Sequence, residues 1–258
     1  MASWDDEQYL KFAEERTRPA EELLARVPVD KPHRVIDLGC GPGNSTQLLS
    51  DRWPFADVRG VDSSPEMLQR ARRDLPTVEF IEADLRTYRP DEPADVLFAN
   101  AVLQWVPDHD KVIPDLFASL RPGGALAFQV PNNFEEPSHR LMRELTGHGL
   151  TSATRERLRE LNTRANVGVP AYYYDRLAVH ARHVDIWQTT YEHVMPDAQA
   201  IVEWVRGTGL RPYLEALEGE QQAAFLAAYT AAIEVAYPRR ANGKRLFSFP
   251  RLFVVAVR

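Results

Sequence analysis

Two carboxylates and three glycines carry most of the chemistry that this chain can do. Val35-Ile36-Asp37-Leu38-Gly39-Cys40-Gly41-Pro42-Gly43-Asn44 is a short apolar run followed by alternating glycines, and Asn44-Ser45-Thr46 opens a helical stretch. The pattern reads as strand, tight turn, helix. Glycines let the backbone turn and let a ligand approach it closely. A second acid, Asp62, ends Asp57-Val58-Arg59-Gly60-Val61-Asp62, 25 residues after the first. A carboxylate at that strand end is placed to hold both hydroxyls of a ribose. The chemistry implied is the binding of a nucleoside-containing cofactor.

The spacing narrows the cofactor. A dinucleotide site uses Gly-x-Gly-x-x-Gly, with its phosphates at a helix N-terminus. Here Asn44 stands where the third glycine of that fingerprint would fall, and Asp37 sits two residues before the first. A carboxylate beside the turn repels a pyrophosphate and suits a cationic group. S-adenosylmethionine has an ammonium, a sulfonium and no phosphate. The run Asp37, Gly39, Gly41, Gly43 thus resembles motif I of the class I methyltransferases. Later segments follow in that family's order. Val78-Glu79-Phe80-Ile81-Glu82-Ala83-Asp84-Leu85 is a strand ending in an acid, and Ala94-Asp95-Val96-Leu97-Phe98-Ala99-Asn100 reads as the fourth strand. Leu103-Gln104-Trp105-Val106 resembles the segment flanking the methionine part. Leu120-Arg121-Pro122-Gly123-Gly124-Ala125-Leu126-Ala127-Phe128 resembles the family's Pro-Gly turn and fifth strand.

This resemblance, over residues 33 to 131, implies an α/β fold: a Rossmann-like, seven-stranded class I methyltransferase sheet with a largely helical cap. It implies S-adenosylmethionine as cofactor and S-adenosylhomocysteine as product. It also implies a set of cofactor contacts beyond the glycines: Asn44, Asp62, Ser63 and Met67, then Asp84 and Leu85 at the adenine, then Asn100, Gln104 and Trp105.

The elements that must position these groups read as follows. Asp6 to Val27 is an amphipathic helix with Tyr9, Phe12, Ala20, Leu23 and Leu24 at apolar positions. Ser64 caps a helix that has Pro65 in its first turn. Asp108 to Leu120 is the helix before the fifth strand. Ser138 to Thr146 and Thr154 to Thr163 are helical, His183 to Tyr191 is a strand, Pro196 to Gly207 and Glu220 to Tyr237 are helices, and Leu246 to Val257 is the last strand. The expected organisation is a cofactor-binding core over residues 1–131, cap insertions at 132–182 and 196–245, and core strands at 183–195 and 246–258.

Composition excludes other classes. The chain has 258 residues and a net charge of −6, which argues against a nucleic-acid or membrane surface. It has no run of about 18 apolar residues and no signal-peptide core in Met1 to Arg18. Cys40 is the only cysteine, so there is no disulfide framework, and its place in the turn suits a small packing residue. Of 31 basic residues only Lys11, Lys31, Lys111 and Lys244 are lysines. Arginine is the better fork for a carboxylate. Nothing in the sequence calls for a metal, and it leaves the oligomeric state open.

Methyl transfer is an in-line displacement at the sulfonium carbon, which demands alignment. A hydroxyl, carbon or amine acceptor often needs a base. A carboxylate is ionised already and needs clamping. No motif supplies a base. Of seven histidines only His109 stands next to a cofactor motif. Candidate clamps are Arg16, Arg18, Arg211 and Arg251, with phenols from Tyr172 or Tyr173. The competing readings are surface ion pairs for the arginines and packing for the tyrosines.

Segments beyond the core resemble the trans-aconitate 2-methyltransferase family: Arg18 to Pro28, Asp185 to Tyr191, Thr208-Gly209-Leu210-Arg211-Pro212 and Phe249-Pro250-Arg251-Leu252-Phe253. Gly147 to Gly168 matches least. The resemblance implies a cytoplasmic bacterial enzyme that monomethylates a small tricarboxylate. Two other readings stand beside it: a methyltransferase for an N, C or hydroxyl-O acceptor, and a non-catalytic S-adenosylmethionine-binding regulator.

Overall fold

The computed structural model describes residues 13–147, 156, 158 and 167–258, with side chains in the first helix from residue 17 onward. The chain alternates strands and helices in order: α1 (Ala13–Ala25), β1 (Arg34–Leu38), α2 (Asn44–Arg52), β2 (Asp57–Asp62), α3 (Pro65–Asp74), β3 (Glu79–Glu82) and β4 (Ala94–Asn100). A 3-10 turn at Leu103–Trp105 leads to α4 (His109–Ala118) and β5 (Leu120–Pro131). Then come α5 (Pro137–Glu144), α6 (Pro170–Leu177), β6 (His183–Met195), α7 (Ala198–Arg206), α8 (Arg211–Glu215), α9 (Gly219–Ala236) and β7 (Arg245–Val257). The first part of the helix expected from Asp6, and most of the one expected at Thr154 to Thr163, lie outside the described residues.

The seven strands form one sheet in the order β3-β2-β1-β4-β5-β7-β6. β1 to β5 pair in parallel, and β7 runs antiparallel to β5. Central parallel strands are covered on both faces and so read as near-continuous apolar runs. β1 is buried at every position, and β4 is buried at Val96, Leu97, Phe98 and Ala99. Strand order reverses between β1 and β4, which opens a crevice at their carboxyl ends.

The chain divides into two compact units. The larger takes residues 14–131, 166–189 and 251–258 and holds the parallel strands. Its core includes Ile36, Leu97, Leu116, Phe117, Phe128, Val130, Tyr173 and Leu177. The smaller takes residues 1–13, 132–165 and 190–250. It packs Met142, Ile201, Trp204, Phe225, Tyr229, Ile233, Phe247 and Phe249 together. Inside it, Tyr229 donates to the Ser138 carbonyl at 2.8 Å, and the Ser138 N–H donates to the Tyr237 hydroxyl at 3.1 Å.

The boundary expected at residue 182 falls earlier in the structure. α6 clusters with the sheet, because Tyr173 and Leu177 are fully buried in its core and Tyr173 meets the Phe128 ring edge-on at 5.2 Å. β6 also runs past Tyr191 to Met195. On β6, Trp187 stacks on Phe253 of β7 at 4.9 Å, and Arg26 just after α1 lies 4.7 Å over the Trp187 ring while pairing with Asp185.

Candidate active site

The turn after β1 is built by its glycines. Gly39, Gly41 and Gly43 all have positive φ, at 68°, 54° and 98°. An L side chain meets steric repulsion in that region. The N–H groups of Gly39 and Cys40 both donate to the Val61 carbonyl, at 2.7 and 3.0 Å, which latches the turn onto β2. Cys40 packs inward with Leu68, Ala71 and Phe80, as the small filler its place suggested.

Asp37 lies beneath this turn and is wholly buried. Its Oδ2 accepts from the hydroxyls of Ser45 and Thr46 on α2, each at 2.7 Å. Its Oδ1 is buried with no hydrogen-bond partner among the described residues. Burial pushes the Asp37 carboxyl up to about 6, with a smaller push from the Asp62 charge, and the two hydroxyls oppose both. A buried carboxylate oxygen with no donor is costly. A cation arriving at this turn would relieve it.

Asp62 ends β2 as expected. Its Oδ2 accepts from the Gly41 N–H at 2.9 Å, and its Oδ1 accepts from the Ser64 N–H at 2.8 Å. Two backbone donors thus fix the carboxylate, and its remaining lone pairs stay available. Ser64 also caps α3, accepting from the Met67 N–H at 3.3 Å with Pro65 next in line.

A cleft of about 290 Å³ opens beside these groups. Gly39, Asp62, Ser63, Asp84, Leu85 and Trp105, all foreseen, line it together. Arg86, Val102, Val106 and Pro107 complete its wall. None was named as a contact, although Val106 closes the segment that resembles the one flanking the methionine part. Arg86, Val102 and Pro107 sit on loops after strands, where no spacing signal marks them. Asp84 accepts from its neighbour Arg86 three times: from the main-chain N–H at 2.9 Å and from the guanidinium at 2.8 and 2.5 Å. Those bonds to Arg86 hold the Asp84 carboxyl below the usual carboxylate range. Trp105 is more than half exposed at the edge. Asp37, Gly41, Gly43, Asn44, Met67, Asn100 and Gln104, also expected at the cofactor, are not among the residues that line it.

The fit to a cationic nucleoside follows from these facts. The turn presents two carboxylates where a pyrophosphate would need donors. A methyl group placed on Gly41 would meet nothing within 4 Å, so the space above the turn is open to a ligand.

The acceptor candidates are scattered. The side chain of Arg16 lies outside the described residues. Arg18 pairs with Glu22, and Arg211 with Glu215, each one helical turn on. Arg251 is 5% exposed, and its Nη1 donates to Gln129 Oε1 at 3.0 Å. Tyr172 donates to Asp110 at 2.9 Å, with Arg176 stacked over its ring. His109 and Tyr173, expected near the acceptor, turn inward instead. His109 Nε2 donates to the Leu103 carbonyl at 2.9 Å, which leaves Nδ1 to accept from the Tyr173 hydroxyl at 3.1 Å. The Tyr173 oxygen in turn accepts from the Gly168 N–H at 3.1 Å. The ring of Tyr173 is held in this position by its packing on Phe128. Burial lowers the His109 imidazole from its ordinary value.

A family model described as a methyltransferase domain matches residues 35–124. The trans-aconitate 2-methyltransferase of Azoarcus sp. (strain BH72) is 61% identical over 258 residues, 100% of both chains. The chain belongs to the trans-aconitate 2-methyltransferase family. It is accordingly an S-adenosylmethionine-dependent methyltransferase. The fold likeness extends to distant structures. The YcgJ protein of Bacillus subtilis matches with a TM-score of 0.58 at 13% identity, over 94% of this chain and 98% of that one. Haemonchus contortus phosphoethanolamine N-methyltransferase 2, in complex with S-adenosyl-L-methionine, matches with a TM-score of 0.56 at 16% identity. That match covers 93% of this chain and 52% of the other. At such identities the likeness concerns the fold alone. Among the described residues there is no cluster that would hold a metal ion, and no helix is long and apolar enough to cross a membrane.

Proposed function

We propose that this enzyme transfers the methyl group of S-adenosylmethionine to one carboxylate oxygen of trans-aconitate, or of a similar small polycarboxylate, in the cytoplasm. The full-length identity of 61% to a protein of that name carries the reading. The absence of a base motif supports an acceptor that is already ionised.

The donor supplies an electrophilic sulfonium methyl. The chain's task is to hold it in line with the acceptor oxygen and exclude water. In this reading Asp62 takes the two ribose hydroxyls. Asp84 and the Leu85 main chain take the adenine edge, with Asp84 keeping one lone pair on Oδ1 beyond those given to Arg86. Asp37 lies under the methionine ammonium, with Asn44, Met67, Gln104 and Trp105 around the donor. The acceptor's carboxylates are held by arginine. Arg18 and Arg211 are the surface candidates, because an exposed i,i+4 ion pair is worth only about 0.3–0.5 kcal/mol and exchanges readily for a ligand carboxylate. Arg16 and the phenol of Tyr172 complete the candidate set, whereas Tyr173 and His109 are turned inward and serve by packing rather than by proton transfer.

Asp62→Ala is expected to weaken donor binding by roughly 1–3 kcal/mol, since the ribose hydroxyls lose their acceptor. Titration calorimetry with S-adenosylmethionine measures it, and an unchanged Kd removes the ribose assignment. The acceptor is tested with methyl-labelled donor across a panel of di- and tricarboxylates. The expected product is a methyl ester that releases labelled methanol in alkali. An alkali-stable product identifies an N, C or ether-O acceptor and overturns the carboxylate reading.

A further inference from the structure

The strand register brings three polar side chains into one row across the sheet. Asn100 ends β4 and pairs directly with Gln129 of β5. Gln129 in turn stands opposite Phe253 of β7, two residues from Arg251, which pairs with Pro131. Side chains two apart on a strand share a face. The row Asn100, Gln129, Arg251 therefore crosses β4, β5 and β7 on one side, at the carboxyl ends of the parallel strands. That end borders the crevice in folds of this topology.

The hydrogen bonds along the row have only one consistent direction. A guanidinium donates and never accepts. Arg251 Nη1 therefore fixes the Gln129 carboxamide with Oε1 toward it, at 3.0 Å. The Gln129 Nε2 must then face Asn100, and it donates to Asn100 Oδ1 at 2.6 Å. With its oxygen turned toward Gln129, Asn100 points its Nδ2 donors the other way. Among the described residues Nδ2 has no acceptor, although Gln129 is fully buried and Arg251 nearly so. The next residues lead from Asn100 to the cleft wall. Ala101 has a φ of 53°, a conformation that L residues rarely adopt, and its N–H donates to the Gln129 carbonyl at 3.0 Å. Val102 then lines the cleft itself.

We propose that Arg251 and Gln129 are positioning residues that turn the amide donors of Asn100 toward a carboxylate oxygen of a bound ligand. The ligand oxygen comes either from the methionine end of the donor or from the acceptor. This inference rests on the cleft binding S-adenosylmethionine and holds whichever acid is the acceptor. Arg251 on this account acts through two amides and does not touch the ligand.

Gln129→Glu tests it, because the change is isosteric and pairs with Arg251. The introduced carboxylate offers only acceptors, so Asn100 must rotate and present its oxygen to the ligand instead. Donor affinity is measured by calorimetry with S-adenosylmethionine and with its analogue lacking the methionine carboxylate. KM and kcat for trans-aconitate are measured at saturating donor. A loss of about tenfold or more is expected in one of two places, as befits a hydrogen bond to a charged group. A weaker Kd for S-adenosylmethionine, with no change for the analogue, assigns the contact to the donor. An unchanged donor Kd with a raised KM assigns it to the acceptor. Asn100→Ala should show the same loss, and the double variant should show no more than either single. A purely structural role for Gln129 would instead add its cost in the Asn100→Ala background and so overturn the proposal. So would values within twofold of the parent for both single variants. If Gln129→Glu does not fold, Arg251→Lys and Arg251→Met decide: lysine also only donates and should preserve affinity, whereas methionine should lose it. Parent enzyme inactive on trans-aconitate would refute the acceptor reading alone, and a donor Kd within twofold would then overturn this one.

Discussion

Asp37→Asn is expected to weaken S-adenosylmethionine binding at pH 7.5 by at least about thirtyfold, roughly 2–3 kcal/mol, while the free enzyme keeps or raises its melting temperature. The two effects have one cause. Asp37 is buried, with one oxygen lacking a partner, so its charge burdens the free protein. Its folded carboxyl stands at about 6, against an ordinary value of 3.8. The folded state therefore holds the proton more tightly than the unfolded chain does. Stability contributed by this group rises as pH falls from about 6 toward 3.8, and the charged form at neutral pH costs about 3 kcal/mol. A cationic ligand needs that charged form. Donor affinity in the parent enzyme should then fall by up to about tenfold per pH unit below 6, and the asparagine variant should lose this dependence. Calorimetry from pH 5 to 8 measures both. An equal pH slope in the two proteins would show that Asp37 does not respond to the donor's charge.

Gly39→Ala is expected to cost roughly 2–5 kcal/mol of stability and to abolish measurable donor binding. Two penalties add. The residue sits at a φ of 68°, and a methyl there would meet Val102 at 2.2 Å from Cγ2 and 2.5 Å from Cβ. Valine is stiff about χ1, so rotation cannot clear a contact with its Cβ. Val102 lines the cleft, and the only relief is to move it or the turn. Gly41→Ala is the control: its φ of 54° carries the backbone penalty, but no atom lies within 4 Å. Thermal melts of both variants, followed by calorimetry, separate the terms. If Gly39→Ala melts like Gly41→Ala, the close packing of Val102 does not restrict the turn.

The parts of this fold that were legible from sequence are local. The glycine turn was readable because a positive φ strongly favours glycine, and all three stand where the spacing placed them. Ser64-Pro65 announced a helix start by its own chemistry. Asp62 and Asp84 followed from strand ends. What was not legible depends on partners distant in sequence. Tyr172, Tyr173 and Tyr174 are equivalent on paper, yet only Tyr173 is buried, because the side of α6 that faces Phe128 is set by packing. Arg251 stood within the expected last strand as a candidate clamp, with a surface ion pair as the competing reading. Its burial follows from β7 lying between β5 and β6, a strand order that no local pattern encodes. Arg86 was missed for the opposite reason. It adjoins a recognised motif, but an arginine after an acid reads as an ordinary surface pair until both are seen to line one cleft.

The single thiol gives the cofactor turn a built-in clock. Cys40 is 3% exposed, and burial together with the Asp37 and Asp62 charges raises its thiol far above the ordinary value. Only the thiolate reacts with an alkylating reagent. Modification must therefore wait for the turn to lift away from Leu68, Ala71 and Phe80. Because no second cysteine contributes background, the labelling rate of the unaltered protein counts openings of this one loop, with no engineered probe.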